Sequence, residues 1–130
     1  WCAFDYNTSL DFGSGDRICY HGVTDIFRQP KIAAGFYAAH ADPTQKVVLE
    51  PATYWKMGDK AGGGVEPLVI FSNCDEIEIF VGSKSRGRWQ PDRKNYPNLA
   101  RPPFVATGLS RNATTFATAY FGGIEISMCT

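Results

Sequence analysis

The chain has 130 residues, a formal net charge of +0, 44% hydrophobic residues and 20% charged ones, the composition of an ordinary folded protein with room for one domain and part of another. Balanced charge argues against nucleic acid, which needs a basic surface to displace counterions, and against electrostatic attachment to anionic lipid. No apolar run approaches the roughly 20 residues that span a bilayer.

Aromatics reach 14%, which suits β-sheet packing and also the stacking of rings on sugar faces. The chain opens on a strand-like run, Trp1 to Tyr6, without an initiator Met. Such a start is expected of a piece of something larger. Trp1 to Tyr6 reads as a short buried strand and residues 7 to 17, rich in Asn, Ser, Gly and Asp, as a loop. Ile18 to Thr24 reads as a second extended piece. Pro30 then opens a helix over Lys31 to His40, where the Ala content favours helix. Ile32, Phe36 and Ala39 share one face of it. Asp42-Pro43 ends it, because a residue before proline avoids the α region.

Beyond Pro43 the pattern turns to strands. Lys46 to Tyr54 is β-rich, Gly62-Gly63-Gly64 is a turn, and Val65 to Ser72 is a strand with Pro67 near its start. After the turn Asn73-Cys74-Asp75, Glu76 to Val81 alternates charged and apolar residues, the period-two mark of a half-buried strand. Gly82-Ser83 is a hairpin turn, and Lys84 to Trp89 is the partner strand. Pro91 to Pro103 is a long connection. Phe104 to Thr107, Thr114 to Phe121 and Ile124 to Cys129 are the last strands, the final two joined at Gly122-Gly123. Short strands with frequent turns and no later helix imply an antiparallel β-sandwich. The boundary between the two parts falls near residues 41 to 45.

Few side chains form a catalytic pattern. Glu76 and Glu78 share a strand face roughly 7 Å apart, within the spacing of a glycosidase pair, but their alternation with Ile77 and Ile79 reads as a solvated face. No Gly-x-Ser-x-Gly elbow is present. Cys19 and His21 are too near in sequence to read as a nucleophile and its base, and Gly13-Ser14-Gly15 reads as a simple loop. Cys2, Cys19, Cys74 and Cys129 contain no Cys-x-x-Cys pair, so a structural zinc site is not expected. Free, mostly buried thiols are favoured over a disulfide between two of them. Asn7-Thr8-Ser9 and Asn112-Ala113-Thr114 fit the glycosylation sequon, which has meaning only in a secreted eukaryotic protein. Trp55 and Trp89 read as core or interface packing before sugar platforms.

Three motifs in the first part carry a resemblance: Trp1-Cys2-Ala3-Phe4-Asp5-Tyr6; Asp11-Phe12-Gly13 with Asp16-Arg17 through Cys19 to Gly22; and Asp25 to Lys31 running into Ala33-Ala34-Gly35-Phe36-Tyr37. In this order they resemble the closing stretch of the barrel of glycoside hydrolase family 2, which contains β-galactosidases, β-glucuronidases and β-mannosidases. Phe71 to Phe80, Lys84-Ser85-Arg86-Gly87, Pro102-Pro103-Phe104 and Ala117 to Ile126 resemble the immunoglobulin-like domain that follows the barrel.

The resemblance implies a mainly β chain. Residues 1–41 would be the C-terminal remnant of a (β/α)8 barrel, a strand, loop and helix. Residues 42–130 would be an immunoglobulin-like antiparallel β-sandwich. It implies a parent that cleaves β-glycosides with retention, using two glutamates that this chain does not contain. Trp1 would line the sugar subsite, with His21 as a second substrate-binding residue, and no residue here would be catalytic. β-Galactosidases often carry an Asn associated with a monovalent cation at the position of His21; with histidine there, no metal is expected, and no cofactor. The expected partners are a β-linked carbohydrate, met through the parent enzyme, and the upstream barrel, with no nucleic acid and no membrane. The alternative is a non-catalytic carbohydrate-binding or structural sandwich module.

Overall fold

The computed structural model describes residues 2–8, 17–53, 66–81, 84–109 and 124–129, of which 81 and 124–129 by backbone alone. Trp1, Gly13-Ser14-Gly15, Trp55, the turns at Gly62 to Gly64, Gly82-Ser83 and Gly122-Gly123, the second sequon and the strand expected at Thr114 to Phe121 lie outside the described residues. The strands are β1 (Cys2–Phe4), β2 (Tyr6–Asn7), β3 (Ile18–Cys19), β4 (Gly22–Thr24), β5 (Leu49–Pro51), β6 (Leu68–Ser72), β7 (Glu76–Val81), β8 (Lys84–Trp89), β9 (Phe104–Ala106) and β10 (Ile124–Cys129). The helix α1 (Ile32–Ala38) lies between β4 and β5.

The described residues of the first part form two small strand pairings. β1 runs parallel to β4, with Cys2 opposite Gly22 and Phe4 opposite Thr24. β2 and β3 pair antiparallel, with Tyr6 opposite Cys19. The expected single piece from Ile18 to Thr24 is therefore two strands, parted at Tyr20 and His21, because each half pairs with a different partner. The expected buried strand at Trp1 to Tyr6 also differs. Phe4 and Tyr6 are each 41% exposed, whereas Asp5 between them is only 2% exposed. Side chains alternate along an extended chain, and here the inward position belongs to the acid.

α1 is shorter than the sequence pattern, ending at Ala38, with Ala39 N–H closing on Gly35 O. Turn bonds from His40 N–H to Tyr37 O and from Ala41 N–H to Ala38 O follow. Asp42 then accepts from the backbone and hydroxyl of Thr44 at 2.9 and 2.7 Å, an Asx turn that leads the chain away from the helix.

Among the described residues of the second part are two antiparallel three-stranded sheets, ordered β5-β6-β9 and β10-β7-β8. Alternation along β6, β7 and β9 turns Leu68, Ile70, Ile77, Ile79, Phe104 and Ala106 inward, all at 0% exposure, with Leu109 beside them. Both sheets thus feed one core, and each fully buried Leu, Ile or Phe contributes about 1.5–3 kcal/mol. Leu49 and Trp89 pack against its edge, so Trp89 serves packing. The β7–β8 register skips between Ile79 and Phe80, which face Gly87 and Ser85; Arg86 is the extra residue of a bulge.

One polar group fastens the entry to this sandwich. Asn73, 1% exposed, accepts from Val48 N–H at 2.8 Å. It donates to Ala41 O at 3.1 Å and Lys46 O at 2.8 Å. A turn residue between β6 and β7 thereby holds the segment that links α1 to β5.

Candidate functional site

The parallel pair β1–β4 and the start of α1 hold a connected polar arrangement. The two strands approach so closely that a Cβ on Gly22 would collide with the backbone of Phe4, Asp5 and Thr24. Only glycine fits there. Asp5 N–H donates to Thr24 O at 2.9 Å, and the Thr24 hydroxyl donates to Ala3 O at 3.0 Å.

The Asp5 carboxylate lies at the centre. Its Oδ1 accepts from Gly22 N–H at 2.8 Å and from Lys31 Nζ at 2.6 Å. Lys31 Nζ also donates to Tyr20 O at 3.1 Å, and Lys31 N–H bonds to Val23 O at 3.1 Å. Burial alone would raise the Asp5 carboxyl. The hydrogen bonds from Lys31 and Gly22, with the charge of Lys31 and the proximity of His21, outweigh it and hold that carboxyl below the ordinary range. The Tyr6 phenol is pushed up by its hydrogen bond to Cys19 and the charge that thiol would carry, with burial and Cys2 adding to the shift.

Around this centre the surface is aromatic. Tyr20 is 56% and Phe27 76% exposed. The Arg28 guanidinium lies 3.6 Å from the centre of the Phe4 ring, a cation–π contact. Asp25 shapes the turn between β4 and α1, its Oδ1 accepting from Phe27 and Gln29 N–H, both at 2.8 Å. An apolar groove of about 330 Å³ is lined by Cys2, Ala3, Val23 and Tyr37.

Of the two residues expected at a sugar subsite, Trp1 is outside the described residues and His21 is exposed at the entry to β4. Cys19 is buried while His21 is exposed, so the two do not face one surface as a reactive pair. The imidazole of His21 is a poor ligand for a hard monovalent cation, which takes oxygen donors. Glu76 and Glu78 lie on the face of β7 turned from the core. Arg88 meets them at 3.1 and 3.4 Å. Ser85 donates to Glu78 and Gln90 to Glu76, each at 2.6 Å. They form a strand-surface network. The residues that the sequence pattern did not single out are Asp5, Gly22 and Lys31, whose roles depend on contacts 17 and 26 positions apart.

No protein-family model matches the chain. A β-galactosidase of Thermoanaerobacterium thermosulfurigenes is 51% identical over 106 residues, 81% of this chain and 15% of that protein. A β-galactosidase of Thermoanaerobacter pseudethanolicus is 48% identical over 111 residues, 80% of this chain and 14% of that protein. The chain belongs to glycoside hydrolase family 2. It spans about one seventh of the length of these family 2 relatives. A solved β-glycosidase from Bacteroides vulgatus superposes with a TM-score of 0.57 at 25% identity, over 81% of this chain and 12% of that one. The mainly β architecture is thus one that a solved glycosidase shares.

Proposed function

We propose that this chain is the end of the catalytic barrel and the following immunoglobulin-like domain of a retaining, β-galactosidase-like glycosidase. The observation that carries the reading is the roughly half identity to β-galactosidases over four fifths of the chain. The geometry agrees with a supporting role. β1 and β4 are parallel, as barrel strands are, and the apolar groove lined by Cys2, Ala3, Val23 and Tyr37 offers surface to upstream barrel elements. Cys2 and Gly22 face each other, and Trp1 and His21 are the residues that immediately precede them in the chain. In this reading those two rings form one wall of the sugar subsite. An indole face packs on pyranose C–H groups, and an imidazole hydrogen-bonds a hydroxyl. The two carboxyl groups of a retaining enzyme, about 5–5.5 Å apart, belong to the upstream barrel, and no resident cofactor enters the scheme.

The test is hydrolysis of aryl β-glycosides by the full-length protein that carries this segment. Turnover of the β-galactoside is expected, with KM raised about tenfold in His21→Ala, the effect of one lost hydrogen bond to substrate. The isolated 130 residues are expected to hydrolyse nothing. Turnover by the isolated chain, or none by the full-length protein, overturns the reading.

A further inference from the structure

We propose that Asp5 and Lys31 are positioning residues that fix His21 from both sides, an assignment that rests on the glycosidase reading above. The argument is local. His21 sits between two peptide groups, the carbonyl of Tyr20 and the N–H of Gly22. Lys31 Nζ holds the first at 3.1 Å and Asp5 Oδ1 holds the second at 2.8 Å. The two holding groups are themselves joined at 2.6 Å. The backbone on either side of His21 is therefore bridged by one ion pair whose members come from the end of β1 and the start of α1.

The two ends of this bridge differ in exposure, with Asp5 at 2% and Lys31 at 32%. A nearly buried carboxylate confines the cation to one place, because leaving it unpaired is costly. Charge-assisted bonds are shorter and stronger than neutral ones, which suits them to fixing a turn that has no regular pairing of its own. Gly22 adds rigidity, since its missing side chain lets β1 lie directly against the turn. The pair is assigned no contact with substrate. Its effect on the reaction passes through the placement of the His21 ring.

The experiment uses the full-length protein with an aryl β-galactoside as probe. Lys31→Met keeps the apolar stem and removes the charge; Lys31→Arg keeps donors for both oxygens. Lys31→Met is expected to raise KM about tenfold, with kcat changed less than twofold, and Lys31→Arg to recover most of that loss. In a His21→Ala background, Lys31→Met is expected to add less than a twofold further change, because both substitutions act through one ring. Independent, multiplying effects in the double variant, or an unchanged KM in Lys31→Met with active wild type, overturn the assignment while leaving the glycosidase reading intact. A wild-type protein without turnover removes both. If Lys31→Met fails to fold, Asp5→Asn replaces it in the same cycle.

Discussion

The ring of Phe36 in α1 meets that of Phe71 in β6 edge to face, with centroids 5.6 Å apart and planes at 75°. This contact joins the helix of the first part to the sandwich. The neighbouring position explains how the helix comes so near. A side chain at Gly35 would press on Glu50 Cβ at 2.9 Å. Truncating Phe36 removes a ring that is only partly buried, so the cost falls below that of a full core deletion. Phe36→Ala is expected to lower stability by about 2 kcal/mol, read from urea unfolding of the full-length protein. An unchanged midpoint would show that the contact carries no weight.

Gly22 is under a tighter constraint than Gly35, because its neighbours are backbone atoms of the facing strand. Backbone cannot rotate aside as a side chain does. Gly22→Ala is expected to cost about 3 kcal/mol, at the upper end of overpacking penalties. Thermal unfolding measures it. Conversion to alanine without a fall in Tm would mean that β1 and β4 are not held this close.

Asn73 predicts a loss of another kind. Replacing it by alanine leaves Val48 N–H, on a residue only 4% exposed, without its acceptor, and strips two carbonyls of a donor. Unmet buried groups cost about 1–3 kcal/mol each, and partial access to water for the two carbonyls limits the sum. Asn73→Ala is expected to destabilise by about 3 kcal/mol, with faster amide exchange at Val48 as its specific signature. Asn73→Asp should keep the Val48 bond while losing both donations, and so fall between the two.

The carboxyl shifts give a direction in pH. Asp5 is held low by Lys31 and Gly22 against the opposing effect of burial, while the hydrogen bonds of Thr44 lower Asp42 and those of Asn95 lower Asp92. A folded-state value below the unfolded one means that the unfolded chain takes up protons first. The stabilisation is therefore complete above the unfolded carboxylate value of about 3.9 and is lost as pH falls through the lower folded values. Tm measured from pH 7 down to pH 2 should hold until about pH 4 and then decline. Asp5→Asn should start lower and decline less steeply.

Local pattern carried the elements of this chain further than it carried their pairing. The Ala-rich run after Pro30 gave the helix, and the alternation Glu76-Ile77-Glu78-Ile79 gave β7 with its inner face, because both signals are periodic over neighbouring residues. β1 was less legible. Its aromatic residues suggested burial, but burial of a two-strand edge depends on what lies against it, and the inward place went to Asp5. The bridge across His21 was not legible at all. Nothing near Asp5 in sequence marks Lys31, 26 positions on, as its partner. Asn73 read as an ordinary turn residue for the same reason, since its partners at Ala41, Lys46 and Val48 lie on a distant segment.

Among the described residues, β1 and β4 are paired with each other, and Thr24 of β4 also bridges to Pro30. Ala3 O is met by the Thr24 hydroxyl and Val23 O by Lys31 N–H, so a side chain and the chain leading into α1 blunt an edge that would otherwise invite a further strand.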